Sequence, residues 1–309
     1  IRARVIAPDG RVHELDPAWA QLLDCLAIDP DYAEKRYREA VRTRRVCGSR
    51  NPDGTANLGG TGGMAASVDA ADDEWIPLFN GTDLEGWTVS PGAEALFGVA
   101  MIDGEPAMHG YPTQPDQSDQ PSATIRTNES YSSYVLHMEY KWGEKRYSDR
   151  RQTDKDSGIC FHLCGDFDQV WPESLEFQIG SQDWPGDWVT GNIFMLINKT
   201  RAQWSYAMRD GQEVFAEGGT RKSIGAPARY YKALATEQLD NEEDWNVLEL
   251  TVHGSESAVY SVNGTIVNAL YDFECNVSGN WEPLGSGPIA LQAEWAELYF
   301  RDVKIKLLD

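Results

Sequence analysis

The sequence predicts an all-β sandwich of two antiparallel sheets. Three observations point there: short period-2 segments dominate from Trp75 onward, Gly and Asn turns separate them, and ten of the eleven Trp lie in the same stretch. A packed core is possible, since 41% of the residues are hydrophobic and 11% aromatic. The net charge of −22 argues against nucleic acid, whose phosphates require Lys and Arg to replace condensed counterions. No run of about 18 apolar residues exists, so no membrane span is expected. The ligand class left is neutral or cationic.

Charge also divides the chain. Residues 1–70 hold ten side chains of each sign, so the remainder, with 17 basic and 39 acidic, carries the whole −22. Residues 14–45 read as helical, with Trp19, Leu22, Leu23 and Leu26 on one face and Asp16-Pro17 as a start signal. Six glycines between residues 48 and 70 read as a linker. The expected organisation is a helical extension over 1–47, available for self-association or partner docking, a linker over 48–70 and a sandwich over 71–309.

Within the sandwich, Tyr134, Leu136, Met138, Tyr140 and Trp142 alternate with polar residues along one strand. Ile159, Phe161 and Leu163 alternate against Cys160 and His162, and Leu175, Phe177 and Ile179 against Ser174, Glu176 and Gln178. Leu248, Leu250 and Val252 mark another strand. Ala258–Val262 and Thr265–Val267 form a hairpin through Asn263-Gly264, a pair suited to the positive φ angles of a type I′ turn. Leu298 and Phe300, then Val303, Ile305 and Leu307, alternate with a phase slip that predicts a bulge at Arg301-Asp302.

Alternation puts side chains two apart on one face. Glu176 with Gln178, Cys160 with His162, and Gln292 with Glu294 therefore all point away from the apolar side. On a convex sheet that is a wet surface; on a concave one it is a groove. Trp171, Trp184 and Trp188 flank the Glu176 strand, and flat indoles beside carboxylates and amides suit sugar recognition. The loop over 144–156, with Asp149, Asp154 and Asp156 among Lys and Arg, reads as a solvated segment or a groove rim. The five cysteines form no CxxC pair, and disulfides between Cys25 and Cys47 or between Cys160 and Cys164 are both open.

Five motifs then resemble one family in register. Leu78-Phe79-Asn80-Gly81-Thr82-Asp83-Leu84-Glu85-Gly86-Trp87 is similar to the opening motif of the 3-keto-disaccharide hydrolase domain family. Asp156-Ser157-Gly158-Ile159 with His162, Trp171 with Ser174–Ile179, and Trp245-Asn246 with Val262-Asn263-Gly264 resemble its middle. Leu291-Gln292-Ala293-Glu294 with Phe300-Arg301-Asp302-Val303 resembles its end. The resemblance covers residues 75–309. It implies a concanavalin A-like jelly roll with a sugar groove, and hydrolysis of glycosidic bonds in 3-keto-glycosides.

A C3 ketone acidifies the C2 proton, so a base can form an enolate and the C1 aglycone can leave by elimination. Base, acid and enolate stabiliser are needed. The resemblance nominates Glu176 as base or metal-facing carboxylate, His162 as proton shuttle and Glu294 as second carboxylate. Gln178, Gln292, Trp171, Trp188 and Asp187 would bind the sugar, and Lys141 or Arg301 would polarise the ketone. For Arg301 an ion pair at the bulge is the better fit. A divalent metal would also stabilise an enolate, although no HxH or HExxH spacing occurs. Export from a bacterial cell is the expected localisation. The alternatives are a non-catalytic carbohydrate-binding module and an assembly protein.

Overall fold

The computed structural model describes residues 4–6, 12–14, 75–148, 155–165, 168–180, 190–196, 199–226, 230–235, 239–241 and 243–308. The chain divides into two compact units, Ile1–Asp69 and Ala70–Asp309. In the first, β1 (Arg4–Ile6) and β2 (Val12–Glu14) pair antiparallel, so this part of the extension is strand rather than helix. The helix expected beyond Glu14 and the glycine linker lie outside the described residues.

The second unit is a sandwich. Its smaller sheet runs in space β15 (Tyr230–Ala233), β11 (Ile193–Leu196), β10 (Glu173–Gly180), β9 (Asp156–Cys164), β20 (Ala290–Ala293), β7 (Ala123–Thr127), β4 (Trp87–Val89). The larger runs β13 (Gln212–Phe215), β12 (Thr200–Arg209), β18 (Thr265–Val277), β17 (Ser257–Val262), β16 (Asn246–His253), β8 (Ser133–Arg146), β21 (Ala296–Leu307), β6 (Glu105–Gly110), β5 (Phe97–Ile102). Three short strands attach to it: β14 (Thr220–Gly225) to β12, β19 (Asn280–Pro283) to β18, and β3 (Ile76–Pro77) to β21. Among the described residues the helical content is one 3-10 turn, Glu94–Leu96.

The core lies between the sheets because their apolar faces meet there. Leu175, Phe177 and Ile179 from β10 and Ile159 and Phe161 from β9 are buried in one cluster with Leu136, Met138, Leu248, Leu250 and Tyr260. Phe177 meets Tyr260 edge to face, with ring centroids 4.7 Å apart. Each such side chain contributes about 1.5–3 kcal/mol by leaving water. β8 and β16 alternate buried and half-buried residues, so the larger sheet keeps a solvated outer face.

The local turns follow the sequence. Asn263 and Gly264 adopt φ of 49° and 80° between paired Val262 and Thr265. The register of β21 against β8 shifts between Arg301 and Lys304, with Asp302 at φ 49°, and this slip sends Phe300, Val303 and Ile305 all inward. Arg301 is an ion-pair residue at that bulge, 2.6 Å from Glu139 and 3.2 Å from Glu105. The expected Cys160–Cys164 pair does not form: Cys164 at the end of β9 bonds Cys275 in β18, while Cys160 is a buried free thiol. Cys25 and Cys47 lie outside the described residues. The actual bridge ties the two sheets together, which a Cys160–Cys164 link within one strand would not do.

Candidate active site

β10, β9 and β20 are neighbours in the smaller sheet, and their register lays out three rows. Ala290, Cys160 and Glu176 stand opposite one another; Gly158 faces Gln178; Asp156 faces Gly180 on one side and Glu294 on the other. Because alternate residues share a face, Asp156, Gly158, Cys160, Glu176, Gln178, Gln292 and Glu294 all lie on the side turned away from the core. This face is covered. Thr124 of β7 donates to the Val170 carbonyl, and Trp171 Nε1 donates to Glu294 Oε1 at 2.8 Å, so the segment around Trp171 lies across it. Glu176 is 4% exposed and Trp171 38%, so the indole reaches the surface while the carboxyl beneath does not.

Gly158 makes room for the centre. A Cβ there would overlap Glu176 Oε1 and stand 2.7 Å from Gln292 Oε1, so both groups fill the space that the missing side chain leaves. Gln178 Nε2 donates to Asp156 Oδ1 at 2.6 Å, and Ser157 Oγ donates to the Gln292 carbonyl at 2.8 Å, pinning β9 to β20. Burial, and then the negative fields of Glu294 and Asp156, push the Glu176 carboxyl well above the usual carboxylate range. Three acids thus lie together on the covered face of the smaller sheet, and burial with its two acidic neighbours favours the protonated form of Glu176.

The profile of the 3-keto-alpha-glucoside-1,2-lyase-like domain family matches residues 74–306. The chain belongs to that family. No curated protein matches the chain in sequence. Two candidate glycosyl hydrolases from Parabacteroides distasonis align with it at 18% and 19% identity over 76% of this chain and 94% and 100% of theirs, each with a TM-score of 0.44. The carbohydrate-binding module CBM66 from Bacillus subtilis aligns at 13% identity over 72% of this chain and 95% of its own, with a TM-score of 0.38.

Not every nominated residue reaches the hollow of the lyase-like domain. His162 does not. It sits at φ 49°, a local break that interrupts the alternation of β9 and turns the ring into the core. There it is fully buried against Tyr134, Phe161 and Phe273, and its Nδ1 bonds the Leu284 carbonyl at 2.9 Å. Burial outweighs that bond and lowers its pKa from 6.5 to about 4, so it is a neutral structural histidine. Since the unfolded chain takes up this proton first, stability is complete above about pH 6.5 and is lost progressively as pH falls towards about 4. Thermal unfolding at pH 7 and pH 5 checks this: the midpoint should drop in the wild type and drop less in His162→Gln.

Lys141 is also elsewhere. It lies on the solvated outer face of the larger sheet, 3.0 Å from Asp103 and near the Trp245 ring, because β8 alternation turns it away from the core. Asp187 and Trp188, like Trp184, lie outside the described residues. The metal expectation finds a different place: among the described residues, the gathered group of possible ligands is His137, Glu139 and Asp302, also on the larger sheet. Protein cations already occupy it, Lys304 at Asp302 and Arg301 at Glu139.

Two contributors are not nominated by the sequence. Asp156 reads there as the end of a solvated loop, although the same period of two that places Cys160 places Asp156 and Gly158 beside it. Gly158 carries no chemistry of its own and shows its role only once Glu176 is above it. Gly158→Ala is expected to displace Glu176 and Gln292 and destabilise the domain by about 1–3 kcal/mol. Urea unfolding measures the loss, and an unchanged midpoint would contradict the crowded geometry.

Proposed function

We propose that the sandwich unit, residues 71–309, cleaves 3-keto-glycosides by elimination followed by hydration. The observation that carries this reading is the convergence of Asp156, Glu176 and Glu294 on one buried face, where burial and the two neighbouring carboxylates raise the Glu176 pKa. A carboxyl whose pKa is raised fits protonation of a departing oxygen, so Glu176 is assigned as general acid rather than base. Glu294, oriented by Trp171, takes the C2 proton; the C2–H electrons form the enolate of the C3 ketone. As C1=C2 forms and the C1–O bond breaks, the Glu176 proton passes to the leaving oxygen. Water then adds at C1 to release the 3-keto sugar. Trp171 offers a stacking face for the ring, and Gln178, anchored on Asp156, meets sugar oxygens. The Cys164–Cys275 disulfide suits an oxidising compartment and supports export.

The test is turnover of a 3-keto-glucoside carrying deuterium at C2. Cleavage slowed severalfold by the isotope supports elimination. Cleavage without that slowing points to an ordinary oxocarbenium route and sinks the reading. The near-complete burial of the carboxylates favours a second reading, a sugar-binding module that meets its ligand through Trp171. Binding of the keto-sugar with no product formed would select it.

A further inference from the structure

We propose that Cys160 is a positioning residue that acts through the Gln292 amide to set the proton of Glu176. The proposal rests on the reading that Glu176 delivers a proton to the leaving group. Cys160 is fully buried, and burial raises its thiol well above the ordinary value and keeps it as S–H. Its sulfur accepts Gln292 Nε2 at 3.4 Å. That bond leaves Gln292 Oε1 buried, without a hydrogen-bond partner, and leaning with Glu176 Oε1 over Gly158. An orphaned carbonyl beside a carboxyl is a place for that carboxyl's proton. Asp156 and Cys160 on β9, Glu294 after β20, and Tyr260 on β17 are the titratable groups that act on Glu176; Phe194, opposite on β11, is apolar.

A thiol both donates and accepts, which an alkyl side chain cannot do. With Glu176 protonated, its O–H donates to Gln292 Oε1 and Nε2 donates to Cys160 Sγ. When the proton leaves for the substrate oxygen, the amide turns over: Nε2 donates to the new carboxylate and the Cys160 S–H donates to Oε1. One proton moves, the Glu176 O–H bond breaks with its electrons left on the carboxylate, and each state keeps the amide paired. Cys160 therefore lets a sealed carboxyl change charge without stranding its neighbour.

Removing the sulfur should favour one state. A buried N–H without a partner is less tolerable than an unpaired carbonyl. In Cys160→Ala the amide should turn Nε2 to Glu176 and hold the carboxylate. The experiment is a carbon-13 NMR titration of glutamate-labelled protein, with the Glu176 signal assigned by its loss in Glu176→Gln. The expected result is a midpoint about one pH unit lower in Cys160→Ala, a tenfold change in the ionisation constant, and recovery in Cys160→Ser. An unchanged midpoint in Cys160→Ala, or equal shifts in both variants, overturns the proposal. Should Cys160→Ala not fold, Gln292→Met decides the same question: the midpoint should rise as the amide is lost, and no rise overturns the proposal. Shifts as stated in protein that turns over no 3-keto-glucoside would uphold the positioning role and overturn only the functional reading.

Discussion

Glu176→Gln is expected to lower 3-keto-glucoside turnover by about 10²–10⁴-fold, the range a positioned acid contributes, while sugar binding persists. The substitution is close to isosteric with the protonated side chain. Its amide can still donate to Gln292 Oε1, so the hollow keeps its shape, but it has no proton to release at working pH. Wild-type turnover should fall on the alkaline side as Glu176 loses its proton through its raised pKa. The same linkage acts on stability. The folded state holds this proton where the unfolded chain, near its ordinary 4.5, has already lost it. Its contribution is therefore complete at acid pH and is lost as pH rises through the folded value. Denaturant melts at pH 6 and pH 9 should show the wild type weakening more than the variant. Full activity in Glu176→Gln would remove the acid from the mechanism altogether.

Cys275→Ser is expected to produce the largest loss of stability of any single change in the sandwich. The disulfide closes a loop between residues 111 apart, and the chain-entropy account values a loop of about 100 residues at roughly 4.7 kcal/mol. For a unit of this size each kcal/mol moves Tm by about 2–4 °C, so a fall of about 10 °C or more should follow. Non-reducing calorimetry of the variant, and of the wild type with dithiothreitol, should agree. A shift of only a degree or two would mean that the core holds the sheets together without the bridge.

Residues whose environment is set by their own strand are legible from sequence. The alternation of Tyr134 to Trp142 marks the inward face of β8, Asn263-Gly264 marks the turn between β17 and β18, and the phase slip at Arg301-Asp302 marks the bulge in β21. In the site, Glu176, Gln178, Gln292 and Glu294 emerge the same way. His162 is misread because one residue in a left-handed conformation reverses the phase, and neither His162 itself nor its flanking Phe161 and Leu163 is a Gly or Asn that would announce it. Lys141 is misplaced because period two tells which side of a strand a residue takes, not which sheet the strand joins. The Cys164–Cys275 pair is hidden for a related reason: it joins two sheets whose mutual position no local pattern encodes. The protonation of Glu176 depends on carboxylates from two other strand segments, so it too emerges only after folding.

β20 enters the smaller sheet between β9 and β7, although every other strand of that sheet precedes it in the chain. A nascent polypeptide halted before Ala290 would therefore possess Asp156 and Glu176 but lack the wedge that brings Gln292 and Glu294 beside them. On the proposed mechanism, competence therefore waits on β20, the strand of that sheet made after all its neighbours.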